Sequence, residues 1–247
     1  MEELRFTSRF LRRKLGFDNQ PETRPENEAE IRVIAKKIVN DISSASQLSD
    51  IKASLSDLII FSNDNIAIST PICSMPVANL VIDHCKNAIN PDYSLIKTCL
   101  ALEINFLEYM AKINEISPKT DTDSSDLLHL LITSSEFNEF MSNELIQKTD
   151  LACVHLILKL YSILTVFDAE SIKNMIFKNE KLLALMLNII KSDKDPISVE
   201  DCLVLISNCS KLDVNSQRLL LFNGAIEVIL SGISQRLTQE AVDNSYI

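Results

Sequence analysis

Scarcity of glycine constrains the fold of this chain more than any other feature of its sequence. Only three of the 247 residues are glycine: Gly16, Gly224 and Gly232. Barrels, sandwiches and doubly wound sheets need glycine at tight turns and phosphate loops, because glycine adopts positive φ angles at little steric cost. Helices have no such need. The sequence therefore predicts an all-α protein.

Composition and cysteine spacing are those of a globular protein from a reducing compartment. Apolar residues make up 46% and charged residues 23% of the chain, which is the globular range. The six cysteines occur singly within apolar runs, and free cysteine is among the most buried residue types. No uninterrupted apolar run reaches the roughly 18–20 residues that span a bilayer. We expect a soluble, cytoplasmic chain with buried thiols.

The charge of the chain is unevenly distributed. The formal net charge is −10, but residues 1–17 carry +3 and residues 18–247 carry −13. An acidic body repels nucleic acid through its long-range field. The sequence therefore predicts protein partners and no nucleic-acid partner.

The basic segment and the polar stretch after it form an arm and linker over residues 1–26. As a helix the segment is partly amphipathic, a pattern typical of helices on anionic membrane surfaces. A mitochondrial targeting peptide, which Glu2 and Glu3 disfavour, and a solvated or docked arm are the alternatives. The candidate membrane-contact residues are Arg5, Phe6, Arg9, Phe10, Arg12 and Arg13.

Helical spacing of apolar residues extends over residues 27–236, which we interpret as one helical domain. Within it, Asp50 is predicted to cap a helix, and Pro71 and Pro76 are predicted to separate short segments. The acidic stretch 115–126 has almost no apolar residues and is predicted to be a mobile loop.

The end of the chain and its middle differ in apolar content. Residues 237–247 carry few apolar side chains in a helical pattern and are predicted to be a frayed tail. Helices are expected to fill the interval between the acidic loop and this tail.

A displacement of 45 residues aligns Ile157–Lys178 with Cys202–Asn223 without a gap. Leu158 then matches Leu203, and Asp168 matches Asp213. A long buried helix, an Asp-initiated helix and a third helix within about 45 residues fit the range of armadillo and HEAT units. We therefore predict an armadillo/HEAT-like α-solenoid of stacked two- and three-helix repeats.

Catalytic motifs are absent from the sequence. It contains no phosphate-binding Gly-x-x-x-x-Gly-Lys, no Gly-x-Ser-x-Gly and no His-Glu-x-x-His. Asp168 and Asp213 are interpreted as helix caps rather than catalytic acids. The prediction is a non-enzyme that needs no cofactor and no metal.

A solenoid binds partners along a groove lined by the third helix of each unit. A merely solvated face is the alternative for each of these positions. The candidate protein-binding residues are Lys181, Asn188, Glu227, Ser231 and Gln235.

The stretch Val199–Leu230 resembles the globular head of the general vesicular transport factor family. The similarity lies in the acidic-acidic-Cys-Leu run at Glu200–Leu203 and in the downstream Asn215, Gln217, Phe222 and Gly224, in that order. Weaker similarity extends back to the Arg-Phe-Leu-Arg run at Arg9–Arg12. The family's heads are armadillo-like, engage Rab-type GTPases and tether vesicles between endoplasmic reticulum and Golgi.

The resemblance implies a protein-interaction scaffold in ER-to-Golgi transport and membrane docking. It also implies a peripheral location on Golgi or ER-derived vesicle membranes and contact with tethering or fusion machinery. Family members dimerise through a coiled coil, but this sequence shows no sustained heptads, so a homodimer stays an open alternative. The alternative function is an armadillo-type nucleotide exchange cofactor of a heat-shock chaperone.

Overall fold

A computed structural model describes residues 28–86, 91–116, 122–147, 150–192, 195–211, 213–232 and 234. Within these residues every regular element is an α-helix, which confirms the all-α prediction. The predicted arm at 1–26 and tail at 237–247 lie outside the described residues. The helices are α1 (Glu28–Ser44), α2 (Leu48–Lys86), α3 (Tyr93–Ile116), α4 (Thr122–Thr133), α5 (Ser135–Gln147), α6 (Leu151–Lys178), α7 (Glu180–Ser192), α8 (Pro196–Ser210) and α9 (Val214–Phe222). Residues 225–232 are also helical.

One continuous apolar core joins these helices. α1 packs on α2, α2 on α3, α3 on α6, and α6 on α8. The largest fully buried side chains are Tyr161, Phe106 and Phe137, from α6, α3 and α5. Burying one such side chain stabilises the folded state by roughly 1.5–3 kcal/mol. The long helices therefore pack with their apolar faces against each other.

α2 runs through both prolines that were predicted to interrupt it. Its helical geometry fails instead at Asn65, where φ is −132° and ψ is 35°. The Asn65 side-chain amide donates to the carbonyl oxygen of Phe61 at 3.0 Å and so caps the first part of the helix. Pro71 and Pro76 follow within the second part, where side-chain hydroxyls such as that of Thr70 supply local hydrogen bonds. The prediction of separate segments at the prolines was wrong.

The start of α2 also differs from the prediction. The helix begins at Leu48, and the carbonyl oxygen of Gln47 accepts hydrogen bonds from the backbone N–H groups of Asp50 and Ile51. Asp50 therefore lies inside the first turn and does not cap the helix. An acid in that turn still interacts favourably with the helix dipole.

Asp168 and Asp213 occupy matching places 45 residues apart. α6 loses helical geometry at Asp168, where φ is −143° and ψ is 79°, and α9 begins directly after Asp213. Asp168 accepts hydrogen bonds from the backbone N–H and hydroxyl of Ser171, at 3.0 and 2.7 Å. Asp213 likewise accepts hydrogen bonds from the backbone N–H and hydroxyl of Ser216, each at 2.8 Å. Both aspartates are helix caps, as predicted.

Three further aspartates cap the long helices α3, α6 and α8. Asp92, Asp150 and Asp195 each accept a hydrogen bond from the backbone N–H three residues later, at 3.1, 2.9 and 2.9 Å. Asp150 and Asp195 are 45 residues apart, whereas Asp92 precedes Asp150 by 58 because α4 and α5 lie between them.

A basic side chain from the preceding long helix reaches each of these caps. Each basic residue is the fifth residue of its helix, so the beginnings of α2, α3, α6 and α8 lie side by side. We call these six residues the cap row. Its pairs are Lys52 with Asp92 at 2.7 Å, Lys97 with Asp150 at 2.8 Å and His155 with Asp195 at 3.0 Å.

The predicted acidic loop at 115–126 is shorter in the structure. α3 continues to Ile116 and α4 begins at Thr122. Residues 117–121 lie outside the described residues.

Two helices, α2 and α6, are long and apolar enough to cross a membrane by length and composition alone. Their most apolar 18-residue windows have mean hydropathies of 1.4 and 1.7. Counting uninterrupted apolar runs overlooked them, because polar residues interrupt the apolar sequence of both helices. Both helices are broken internally, at Asn65 and Asp168, and both contribute many side chains to the core.

Candidate protein-interaction surfaces

Lys181 and Asn188 lie on the exposed side of α7. They are seven residues apart and therefore share one helix face, while Leu182 and Met186 on the opposite side are almost completely buried. Each of the two candidate residues is thus accessible to a partner.

The other groove candidates belong to the helical residues 225–232. Glu227 is exposed and Ser231 is half-buried. They are four residues apart, so they share a helix face. Gln235 lies outside the described residues.

Gly232 shows that α7 and residues 225–232 approach each other closely. A Cβ atom added to Gly232 would lie 2.6 Å from the carbonyl oxygen of Ile190, which is nearer than non-bonded atoms can come. The two helices that carry the groove candidates are therefore neighbours. Their outward faces offer charged and amide groups, which suit hydrogen bonding to a protein surface.

Exposed apolar side chains are concentrated between residues 214 and 230. Single exposed apolar residues are ordinary, but a concentration of them is typical of interaction sites. Phe222 is 90% exposed. We define the terminal apolar surface as Val214, Leu219, Leu221, Phe222, Ile226 and Leu230.

Nothing in the sequence predicts this surface. Phe222 is there only part of a family-like pattern, and the 45-residue repeat predicts a long buried helix around Leu203. Val204 is in fact 42% exposed, whereas Cys202 and Leu205 are fully buried. A run of apolar letters gives the hydrophobicity of a helix, but neighbouring helices decide which of its faces are covered.

Hydrogen bonds lower the pKa values of the three carboxylates in the cap row. The hydrogen bond from Lys52 lowers the pKa of Asp92, and the hydrogen bond from Lys97 does the same for Asp150. The pKa of Asp195 is lowered first by the backbone N–H of Ser198 and further by the nearby His155. These carboxylates therefore remain ionised and hold neighbouring helix starts together.

His155 makes contacts through both ring nitrogens. Its Nε2 atom lies 3.0 Å from Oδ2 of Asp195, and its Nδ1 atom lies 3.1 Å from Oγ of Ser198. Both partners belong to the start of α8, so His155 fixes α6 against α8. Among the described residues no group of three or more His, Cys, Asp or Glu side chains is arranged to hold a metal ion.

The six cysteines are free and buried, as predicted. Burial raises the pKa of Cys73, Cys85 and Cys153 to about 12 each and that of Cys209 to about 11. A thiol nucleophile needs access and a lowered pKa. These thiols have neither, and they act as small apolar side chains of the core.

The candidate membrane-contact residues Arg5, Phe6, Arg9, Phe10, Arg12 and Arg13 all lie outside the described residues. No protein-family model, curated protein or solved structure matches the chain. The sequence, the packing and the surfaces described above are therefore the basis for assigning a function.

Proposed function

We propose that this chain is a vesicle-tethering head that acts as a protein-interaction scaffold in ER-to-Golgi transport and membrane docking. The resemblance of Val199–Leu230 to the general vesicular transport factor heads supports the proposal. The terminal apolar surface also supports the proposal, because it lies within the same stretch and is formed by several exposed side chains. A surface of this kind suits a protein partner better than a small-molecule substrate.

The finer architecture that we propose is an armadillo/HEAT-like α-solenoid. The 45-residue interval between Asp150 and Asp195 recurs between Asp168 and Asp213. The beginnings of neighbouring long helices lie side by side, which fits the inner helices of stacked units. In this arrangement each unit contributes one cap to the cap row and one outward helix to the binding face.

The proposed partner is a Rab-type GTPase in its GTP-bound state. The terminal apolar surface supplies the apolar centre of the contact, and the neighbouring Lys181, Asn188 and Glu227 supply a polar rim. Interfaces with an apolar centre and a polar rim are the usual form of specific protein contacts. We further propose a peripheral location on Golgi or ER-derived membranes, with the basic residues 1–17 providing the lipid contact.

A pull-down with purified Rab-type GTPases tests the partner. The full chain should retain a GTPase loaded with a non-hydrolysable GTP analogue at least tenfold better than the GDP form, a difference of about 1.4 kcal/mol. Phe222→Asp should abolish retention. Val33→Asp is the matched control, because Val33 is another exposed apolar residue but lies on α1. Equal retention of both nucleotide states, or no effect of Phe222→Asp, would contradict the proposal.

The same protein preparations test the alternative function. Accelerated ADP release from a heat-shock chaperone, with no GTP-dependent GTPase retention, would assign the chain to the exchange cofactors. Liposome flotation with and without residues 1–17 tests the membrane contact. Unchanged flotation after deletion would remove that role from the proposal.

A further inference from the structure

Glu103 is an acid buried at the centre of the apolar core. It lies in the middle of α3, which packs between α2 and α6. Its exposure is 0%, and both carboxyl oxygens are buried without a hydrogen-bond partner. The adjacent residues Leu102 and Ile104 are also buried, so water is excluded from several sides of this helix.

No basic side chain of the described residues pairs with Glu103 from α2, α3 or α6. The titratable groups that it influences are Cys73 of α2 and Cys99, one turn earlier on α3. Burial raises the pKa of both thiols, and the proximity of Glu103 raises it further, so neither is charged near neutral pH.

Such a site tolerates only the neutral form of a carboxyl group. An ionised carboxylate without a partner is very unfavourable in an apolar interior. Burial accordingly raises the pKa of Glu103 well above its ordinary value of 4.5. Leucine or methionine would fill similar space without this cost. The free-energy cost of burying glutamic acid at this position depends on pH, whereas that of burying leucine or methionine does not.

We propose that Glu103 is a pH-dependent conformational switch, which holds α3 between α2 and α6 when protonated and opens this packing when it ionises. This switch is independent of the proposed tethering role. It predicts that the central helices open as the pH rises, while the α8 region stays closed.

The direction of the effect follows from proton linkage. A carboxyl group whose folded-state pKa is raised contributes stability fully below its unfolded value of 4.5. That contribution is lost as the pH rises through the folded value. Within this interval, opening releases one proton, so its equilibrium constant should grow about tenfold per pH unit.

Thiol labelling of the native chain measures this opening. Cys73 and Cys99 report on the switch, since both are fully buried beside Glu103, and Cys209 of α8 is the internal control. Mass spectrometry after labelling with a maleimide gives the rate at each cysteine. The wild-type rate at Cys73, divided by the Glu103→Gln rate at the same pH, should rise about tenfold per pH unit. The ratio at Cys209 should stay constant.

Two variants and one spectroscopic signal keep the test decisive. Glu103→Gln keeps the shape and a neutral polar group, and Glu103→Met replaces it with an apolar side chain. Both should fold, and both should abolish the excess pH dependence. Wild-type chain should show an infrared carbonyl band of a protonated carboxyl that persists above the ordinary pKa of 4.5, and Glu103→Gln should lack this band. Identical pH dependence in all three proteins, absence of the band, or failure of both variants to fold would overturn the proposal.

Discussion

The Nζ atom of Lys173 lies 2.9 Å from Oδ2 of Asp213, the carboxylate that caps α9 forty residues further along the chain. Lys173 belongs to the helical turn that Asp168 caps, and Asp213 is the counterpart of Asp168 in the 45-residue alignment. An ion pair thus links one matching segment to the cap of the next. This pair joins the two parts of the chain that sequence alignment had only shown to be similar.

Removing the lysine charge should weaken this link. The hydrogen bond from Lys173 is the main cause of the lowered pKa of Asp213. A lowered carboxyl pKa contributes stability above its ordinary value of 3.8 and loses it as the pH falls through the folded value. Lys173→Met should therefore lower the urea midpoint near pH 6, and the difference from wild type should shrink at strongly acidic pH.

Circular dichroism during urea and acid titration measures both effects. Lys181→Met is the control, because Lys181 is also a helical lysine but is exposed on α7. A constant difference between Lys173→Met and wild type at every pH would mean that packing of the lysine stem, and not its charge, is responsible.

The cap at Asp168 should be separable from charge effects. Asp168→Ala removes the oxygen that accepts from Ser171 N–H and should cost about 1 kcal/mol of unfolding free energy. Asp168→Asn keeps an accepting oxygen and should cost less. Urea unfolding of the two variants compares them directly. If both variants lost the same unfolding free energy, the carboxylate charge of Asp168 would stabilise the break in α6 more than its hydrogen bond to Ser171 does.

A methyl group added at Gly232 should force α7 and residues 225–232 apart. Gly232→Ala would bring its Cβ atom to 2.6 Å from a backbone oxygen of Ile190, and backbone cannot yield as a flexible side chain can. We expect a loss of roughly 1–3 kcal/mol in unfolding free energy. Ser231→Ala, at the half-buried neighbouring position, serves as the control. A thermal midpoint unchanged from wild type would mean that these helices are not tightly packed.

His155 should be replaceable by lysine but not by alanine. Lys52 and Lys97 hold the corresponding fifth positions of α2 and α3 and pair with the caps of the next helices. His155→Lys should therefore keep the link to Asp195, while His155→Ala should lose up to about 1 kcal/mol. Denaturant midpoints near pH 7 give the comparison. Equal destabilisation by both changes would show that the hydrogen bond to Ser198, which lysine does not reproduce, is the dominant contact.

Local rules explain what sequence reasoning predicted correctly. Asp168 and Asp213 were interpreted as caps because an aspartate at the start of a helical pattern can satisfy free N–H groups there. The same local reasoning failed at Asp50, where the chain had begun its helix two residues earlier. It failed again at Pro71 and Pro76. Packing of α2 against α1 and α3 maintains the helix there, although proline would disrupt the same helix in isolation.

The candidate site was predictable only in part. Lys181 and Asn188 were predicted to line a solenoid groove, and both side chains are exposed on α7, as they would be on a merely solvated face. The exposure of Phe222 was not predictable, since a phenylalanine in an apolar run is more often buried. The burial of Glu103 was equally hidden, because a single acid within a long apolar helix ordinarily faces water.

By itself, the sequence determined the helical class of the protein, the buried free cysteines and the positions of its Asp-capped breaks. These depend on glycine scarcity, hydrophobicity and hydrogen bonds between residues a few positions apart. Only the tertiary structure decided which helices lie side by side, which pairs join them and which faces stay uncovered. Such relationships depend on contacts between residues 40 or more positions apart, and each helix has several faces on which it could be packed. The isolation of Glu103 and the exposure of Phe222 are both results of that packing.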